Sequence, residues 1–316
     1  MRPVATWPAV WRRAAAGTLA VLLAVLLAAC GGRASKPSPE DPRRPTVTLA
    51  SLDFPESELL VELYAQVLAA RGLPVERIME LGSREVVEPA LESGTVDLVP
   101  EYLGTAVNFL SGGRLAATTD SRKDHAELAR LFAARGVSVL AYAPAQDQNG
   151  IAVARARATA RHLARLSDLR PIADELIFGA PAECAERLLC LKGLERVYHL
   201  KFKEFRPMPS GAVIADALVS GEIDVGLMDT TDAYLSARDL LLLTDDRKLQ
   251  PADNVVPVVR TEIVERYGQR LVDAVNAVSA RLTTPDLIEL NRQATLGDRP
   301  VDAVARGWLV SHHLVP

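Results

Sequence analysis

Aromatic residues are scarce in this 316-residue chain: three Trp, six Tyr and six Phe make up 5% of it, so a site of several stacked rings has few residues to draw on. Cysteine is scarcer, at positions 30, 184 and 190 alone, which excludes a cysteine-rich metal or disulfide framework. The five histidines, His125, His162, His199, His312 and His313, are scattered and set no metal-ligand spacing. The sequence has no Gly-x-Ser-x-Gly elbow, His-Glu-x-x-His helix or Walker phosphate loop. Asp229 and Asp232 are near enough to read as paired carboxylates, yet nothing places a nucleophile beside them, so a hydrolase is only a minor alternative. An enzyme is not expected, and neither is a cofactor. The formal charge of −4 supplies no basic face for nucleic acid.

What is present begins at the N-terminus. Arg12 and Arg13 precede the uncharged run from Ala14 to Ala29, which is shorter than the roughly 20 apolar residues of a bilayer span. It fits the apolar region of a secretory signal peptide. The run ends in Leu27-Ala-Ala-Cys30-Gly, which resembles the bacterial lipobox and implies lipidation at Cys30. Residues 1–29 are read as a lipoprotein signal peptide and 30–45, rich in Gly, Pro, Ser and charge, as a flexible tether. Removal of residues 1–29 takes away Arg2, Arg12 and Arg13 and no acid, moving the formal charge from −4 to −7. The expected location is the extracytoplasmic face of the cell membrane, held by the lipid. Export places Cys184 and Cys190 in an oxidising compartment, where a local disulfide is expected; two buried thiols are the alternative.

The body alternates between the two periodicities of strand and helix. Val47–Ala50 reads as a strand and Ser57 starts a helix with Leu59, Leu60, Leu63, Tyr64, Val67 and Leu68 on its apolar side. Val75–Glu80 is a second strand, Gly82-Ser-Arg-Glu85 opens a second helix, and Val96–Val99 is a third strand. This βαβαβ order implies a parallel sheet flanked by helices, with ligands bound beyond the carboxyl ends of the strands. Arg135–Tyr142 reads as a further strand, and Glu262–Leu282 and Pro285–Thr295 as helices.

An internal repeat organises these elements. Ala90-Leu-Glu-Ser-Gly-Thr-Val-Asp-Leu98 recurs as Ala217-Leu-Val-Ser-Gly-Glu-Ile-Asp-Val225, offset by 127 residues. That spacing is too long for a stacked solenoid and fits two similar α/β lobes facing one another. Glu101-Tyr102 and Met228-Asp229 then become equivalent walls of a cleft. Irregular stretches at Pro144–Gly150 and Leu249–Asn254 read as two crossings between lobes. Lobe 1 is assigned to 46–146 plus 254–316 and lobe 2 to 147–253.

On these residues the chain resembles a known family. Leu81-Gly-Ser-Arg-Glu-Val-Val-Glu-Pro-Ala-Leu-Glu-Ser-Gly94, Asp97-Leu-Val-Pro-Glu-Tyr-Leu-Gly-Thr105, Thr230-Thr-Asp232, Leu241-Leu-Leu-Thr-Asp-Asp246 and Asn254-Val-Val-Pro-Val-Val-Arg260 look like the glycine betaine/choline-binding proteins of ABC importers. The resemblance spans roughly residues 46–312. It implies a two-lobed type II periplasmic-binding fold, with a mixed, mostly parallel sheet in each lobe, that closes on a small amine and delivers it to permease and ATPase subunits; a monomer is expected.

In that family a box of tyrosines surrounds a quaternary ammonium through cation–π attraction. Here Tyr102 keeps one box position, while the others fall on Asn149, Asp229 and Asp253. Thr105 and Arg187 match residues that grip a substrate carboxylate, and the family's lysine falls on Leu52. Thr230 and Ser51 complete the candidate ligand set. The exchange of rings for carboxylates points to a zwitterion or cation that carries N–H donors. A lipoprotein sensor or surface protein that has lost quaternary-amine binding is the alternative.

Overall fold

The computed structural model describes residues 46–316 except 115 and 116. Cys30, the leader and all of the tether lie outside the described residues.

Val47–Leu52 (β1) is buried along its whole length, the mark of a strand covered on both faces. It feeds Pro55–Ala70 (α1), where Pro55 at the first position and acidic Glu56 and Glu58 in the first turn favour helix initiation. The chain continues through Val75–Gly82 (β2), Arg84–Ser93 (α2), Leu98–Tyr102 (β3), Leu103–Leu110 (α3), Ser121–Ala133 (α4) and Val137–Val139 (β4). It then builds Asn149–Ala154 (β5), Arg155–Arg161 (α5), Ile177–Ala180 (β6), Glu204–Pro207 (β7), Ala212–Ser220 (α6), Val225–Asp229 (β8) and Leu240–Leu242 (β9). Val255–Arg260 (β10), Thr261–Tyr267 (α7), Gln269–Ser279 (α8), Thr284–Leu296 (α9) and Val301–Ser311 (α10) close the fold. No helix among the described residues is long and apolar enough to cross a membrane.

These strands form two five-stranded sheets, ordered β2-β1-β3-β10-β4 and β7-β6-β8-β5-β9. In each sheet the first three strands pair in parallel and the last two join antiparallel. Four strands of each sheet therefore run the same way and one, β10 or β5, is reversed, which is the mixed, mostly parallel sheet expected. The cause is the connectivity: β5 and β10 each arrive from the opposite lobe and insert against β8 and β3 from the reverse direction. The fold is the expected two-lobed mixed α/β architecture.

The 127-residue repeat is structural. At that offset the bounds of β3 and β8 match residue for residue, and the two helix ends fall at Gly94 and Gly221, both left-handed with φ of 80° and 77°. A residue with a Cβ pays a conformational penalty there, which is why Ser-Gly recurs. The repeated aspartate has the same task twice. Asp97 Oδ2 accepts from the Thr48 amide at 2.9 Å, and Asp224 Oδ2 accepts from the Ile177 amide at 2.8 Å. Each carboxylate ties the third strand of its sheet to the start of the neighbouring parallel strand.

Three expected elements differ in extent. The third strand begins at Leu98 and runs to Tyr102, because β10 pairs with it as far as Tyr102. The strand expected over Arg135–Tyr142 is regular only for Val137–Val139, although Leu140 and Ala143 still donate to Pro257 and Val255. The long helix expected over Glu262–Leu282 breaks at Gly268, where φ is +60° and the chain restarts as α8.

The first sheet packs under α1, whose Leu59, Leu60, Leu63 and Tyr64 are fully buried, and α8 and α10 pack in turn on α1. The second sheet has a separate core around Phe178, Tyr198 and Leu169 on one face and Ile214, Leu218 and Ile223 on the other. The two crossings lie side by side: Gln146 bridges Asn254, and the Asp147 amide donates to the Asp253 carbonyl at 3.0 Å.

Candidate functional site

The carboxyl ends of β1, β3 and β8 and both crossings converge on a cavity of about 110 Å³, which takes a small solute and not a polymer. Tyr102, the last residue of β3, and Asp229, the last of β8, occupy equivalent positions on its walls. Phe54, in the turn between β1 and α1, sets its ring 6.0 Å from that of Tyr102 at 35°. Two rings thus line the cavity where the resemblance implies more.

The Tyr102 hydroxyl donates to Glu56 at 2.6 Å. Glu56 also accepts from Thr231 Oγ1 and Asn291 Nδ2, each at 2.5 Å, so it joins α1, β3, the segment after β8 and α9. Burial raises the Glu56 pKa in spite of those donors, and burial together with Glu56 holds the phenol well above its ordinary value.

Acid dominates the walls. Asp147 accepts from Thr230 Oγ1 at 3.0 Å and the Thr231 amide at 3.1 Å, and burial beside Glu56 and Asp229 pushes its pKa well up. The Asp229 carboxylate has no hydrogen-bond partner among the described residues. Burial, then Asp232, Glu56 and Asp253, push it up to about 8. Asp253 rises to about 6 through burial, opposed by donation from Thr105 and by the charge of Arg84. Arg84 is itself held at 2.7 and 2.8 Å by both oxygens of buried Glu101. Burial works against Glu101, but Arg84 keeps its pKa below the usual carboxylate value, while neighbouring buried Glu88 is driven well above. No group of three His, Cys, Asp or Glu among the described residues is arranged to hold a metal ion.

Of the expected ligand residues, Tyr102, Thr105, Asn149, Arg187, Asp229 and Asp253 line the cavity. Their partners are not those the resemblance implies. Thr105 gives its amide (2.8 Å) and hydroxyl (2.5 Å) to Asp253. Arg187 donates across the cleft to Glu85 at 2.9 Å and lies 3.8 Å from Glu183. Asn149 opens β5 opposite Asp229 and makes only long contacts, at 3.5 Å, to Leu189 and Gln250.

Thr230 and Ser51 stand apart from the cavity lining. Thr230 accepts from the Gln148 amide and donates to Asp147, supporting the first crossing. Ser51 is fully buried at the irregularity between β1 and β2, where its hydroxyl accepts from the Glu80 amide at 2.7 Å. Its side chain serves the sheet because its neighbours, not Ser51 itself, end the strand at the cleft. Cys184 and Cys190 form a disulfide, with Cα atoms 5.2 Å apart, that closes the loop bearing Arg187.

Phe54 and Glu56 have no place in the sequence-based expectation, which has Glu101 on a cleft wall and Asp147 in a crossing but not the burial of Asp147 or the pairing of Arg84 with Glu101. Phe54 and Glu56 follow directly on β1, so the rule that ligands sit beyond carboxyl ends of strands was a usable signal. Burial of Asp147 and the pairing of Arg84 with Glu101 have no local signature.

Residues 45–311 match the family described as the substrate binding domain of ABC-type glycine betaine transport systems. Among curated relatives, the glycine betaine-binding protein YehZ of Escherichia coli K12 is 27% identical over 80% of this chain and 86% of its own. The glycine-betaine-binding protein of Pseudomonas aeruginosa is 28% identical over 85% of this chain and 89% of its own. A solved structure described as a glycine betaine/carnitine/choline ABC transporter shares the fold, with a TM-score of 0.68 and 23% identity over 85% of this chain and 99% of that one. The chain belongs to the family of substrate-binding domains of ABC-type glycine betaine transport systems, and it is a binding component of an importer, not an enzyme.

Proposed function

We propose that this protein is an extracytoplasmic receptor, anchored through a lipid on Cys30, that captures a glycine betaine- or choline-like amine, or a related cation or zwitterion, for an ABC permease and its ATPase. The observation that carries the solute class is the pairing of the Phe54 and Tyr102 rings with the unpartnered Asp229 carboxylate across one cavity. Ring faces attract a cationic head, and a carboxylate adds charge and accepts N–H groups that a quaternary amine lacks. The names of the two curated relatives, both glycine betaine-binding proteins, support the amine class.

The tether keeps the receptor near its membrane partner and raises effective concentration. Capture proceeds by closure about the crossings near Asp147–Gly150 and Ala252–Val255, and the solute contributes only its preference for the closed form. A thermal-shift panel of glycine betaine, choline, carnitine and primary-amine zwitterions tests the class, because a ligand of the native state raises stability by mass action. Tight betaine binding that survives both Asp229→Ala and Asp253→Ala refutes the assignment of these acids to the ligand.

A further inference from the structure

In the resemblance drawn from sequence, Thr105 and Arg187 are the residues that hold a substrate carboxylate. In the structure both already hold one. Thr105 turns its amide and hydroxyl onto Asp253. Arg187, in the disulfide-closed loop, turns its guanidinium onto Glu85 at the start of α2, on the opposite lobe, with Glu183 at 3.8 Å. The other cationic side chain lining the cavity, Arg84, is committed to both oxygens of Glu101. Among the described residues, no cation on the cavity wall is left without a protein carboxylate.

An incoming acid group would have to displace Glu85 from Arg187, or Asp253 from Thr105, before gaining either donor. The start of α6 beside Ser210 and Gly211 offers backbone N–H groups at the positive end of a helix, the one feature of the described lining that favours an acid over a hydroxyl.

We infer that Glu85 and Asp253 are built-in occupants of the two carboxylate-binding groups, so that the site selects amine cations that carry a hydroxyl or no second polar group, and rejects those that carry an acid. Glu85 is the specificity-determining residue of this arrangement. It is half exposed, packs no core and reaches Arg187 only because the two lobes meet. The inference rests on the amine-receptor reading above and narrows it.

Two matched pairs separate the possibilities: choline against glycine betaine, and ethanolamine against glycine. Within each pair the ammonium is the same and only the hydroxyl or acid differs. Calorimetric titration of the full chain should show each alcohol binding at least about tenfold more tightly than its acid, the equivalent of one charge-assisted hydrogen bond. Glu85→Gln, a change at a half-exposed site, should release Arg187 and move the betaine-to-choline affinity ratio roughly tenfold toward betaine. Betaine binding the unaltered protein as tightly as choline overturns the inference and leaves the amine receptor standing. An unmoved ratio in Glu85→Gln overturns the role of Glu85. Binding of none of the four removes both readings.

Discussion

Asp229 gives the sharpest test, because its carboxyl faces acids from every element around it: Glu56 on α1, Asp147 and Asp253 on the crossings, and Asp232 just beyond β8. Burial and these neighbours push it up to about 8. Below that pH it is mostly protonated and neutral, so a bound cation must first displace the proton. With that pKa, about one molecule in ten has the group ionised at pH 7 and about one in a hundred at pH 6. Choline keeps its charge throughout, so the protein alone titrates. Its affinity should therefore rise about tenfold from pH 6 to 7, about fivefold from pH 7 to 8, and level off near pH 9. Asp253, at about 6, adds to the slope only at the acid end.

The measurement is a calorimetric or fluorescence titration of choline at several pH values, on the unaltered protein and on Asp229→Asn. The variant should lose most of the slope and bind more weakly at pH 9. The same raised pKa has a converse in stability. A carboxyl whose folded pKa lies above its unfolded value supports the fold at low pH and ceases to do so as pH climbs toward 8. Asp229→Asn should thus raise the ligand-free Tm at pH 9 more than at pH 5. A flat affinity profile in the unaltered protein, or an undiminished slope in the variant, would refute the reasoning.

Other outcomes follow from the packing. Glu56→Ala leaves the Tyr102 hydroxyl, Thr231 and Asn291 without their shared acceptor, and should cost about 3 kcal/mol in urea unfolding. Reduction of the Cys184–Cys190 bridge, or Cys184→Ser with Cys190→Ser, opens a loop spanning six residues and should cost roughly 2 kcal/mol by loop-closure entropy. Gly221→Ala meets no neighbouring atom but forces a left-handed residue to carry a Cβ, for a loss of about 1 kcal/mol in thermal or urea melts. Gly104→Ala is a different case: the new Cβ would stand 2.3 Å from Pro251 beside the second crossing, and the loss should exceed that of Gly221→Ala in the same assay.

The amino-acid order determined much of this molecule by itself. The βαβαβ alternation, the 127-residue repeat and the Ser-Gly helix stops are local signals, set by side-chain periodicity and by the left-handed backbone that glycine tolerates. They specified two like lobes and put Tyr102 and Asp229 at matching strand ends, because a strand end is the same place in both copies. The tertiary structure decided the rest. β5 and β10 run antiparallel because each returns from the other lobe, which no local pattern encodes. Thr105 and Arg187 were legible as donors, but what they hold depends on Asp253 and Glu85, 148 and 102 residues away in sequence. Electrostatics is equally non-local. Asp229 reads as an ordinary acid until burial and its acidic neighbours, gathered from the two crossings and α1, lift it into the range where it titrates near neutral pH.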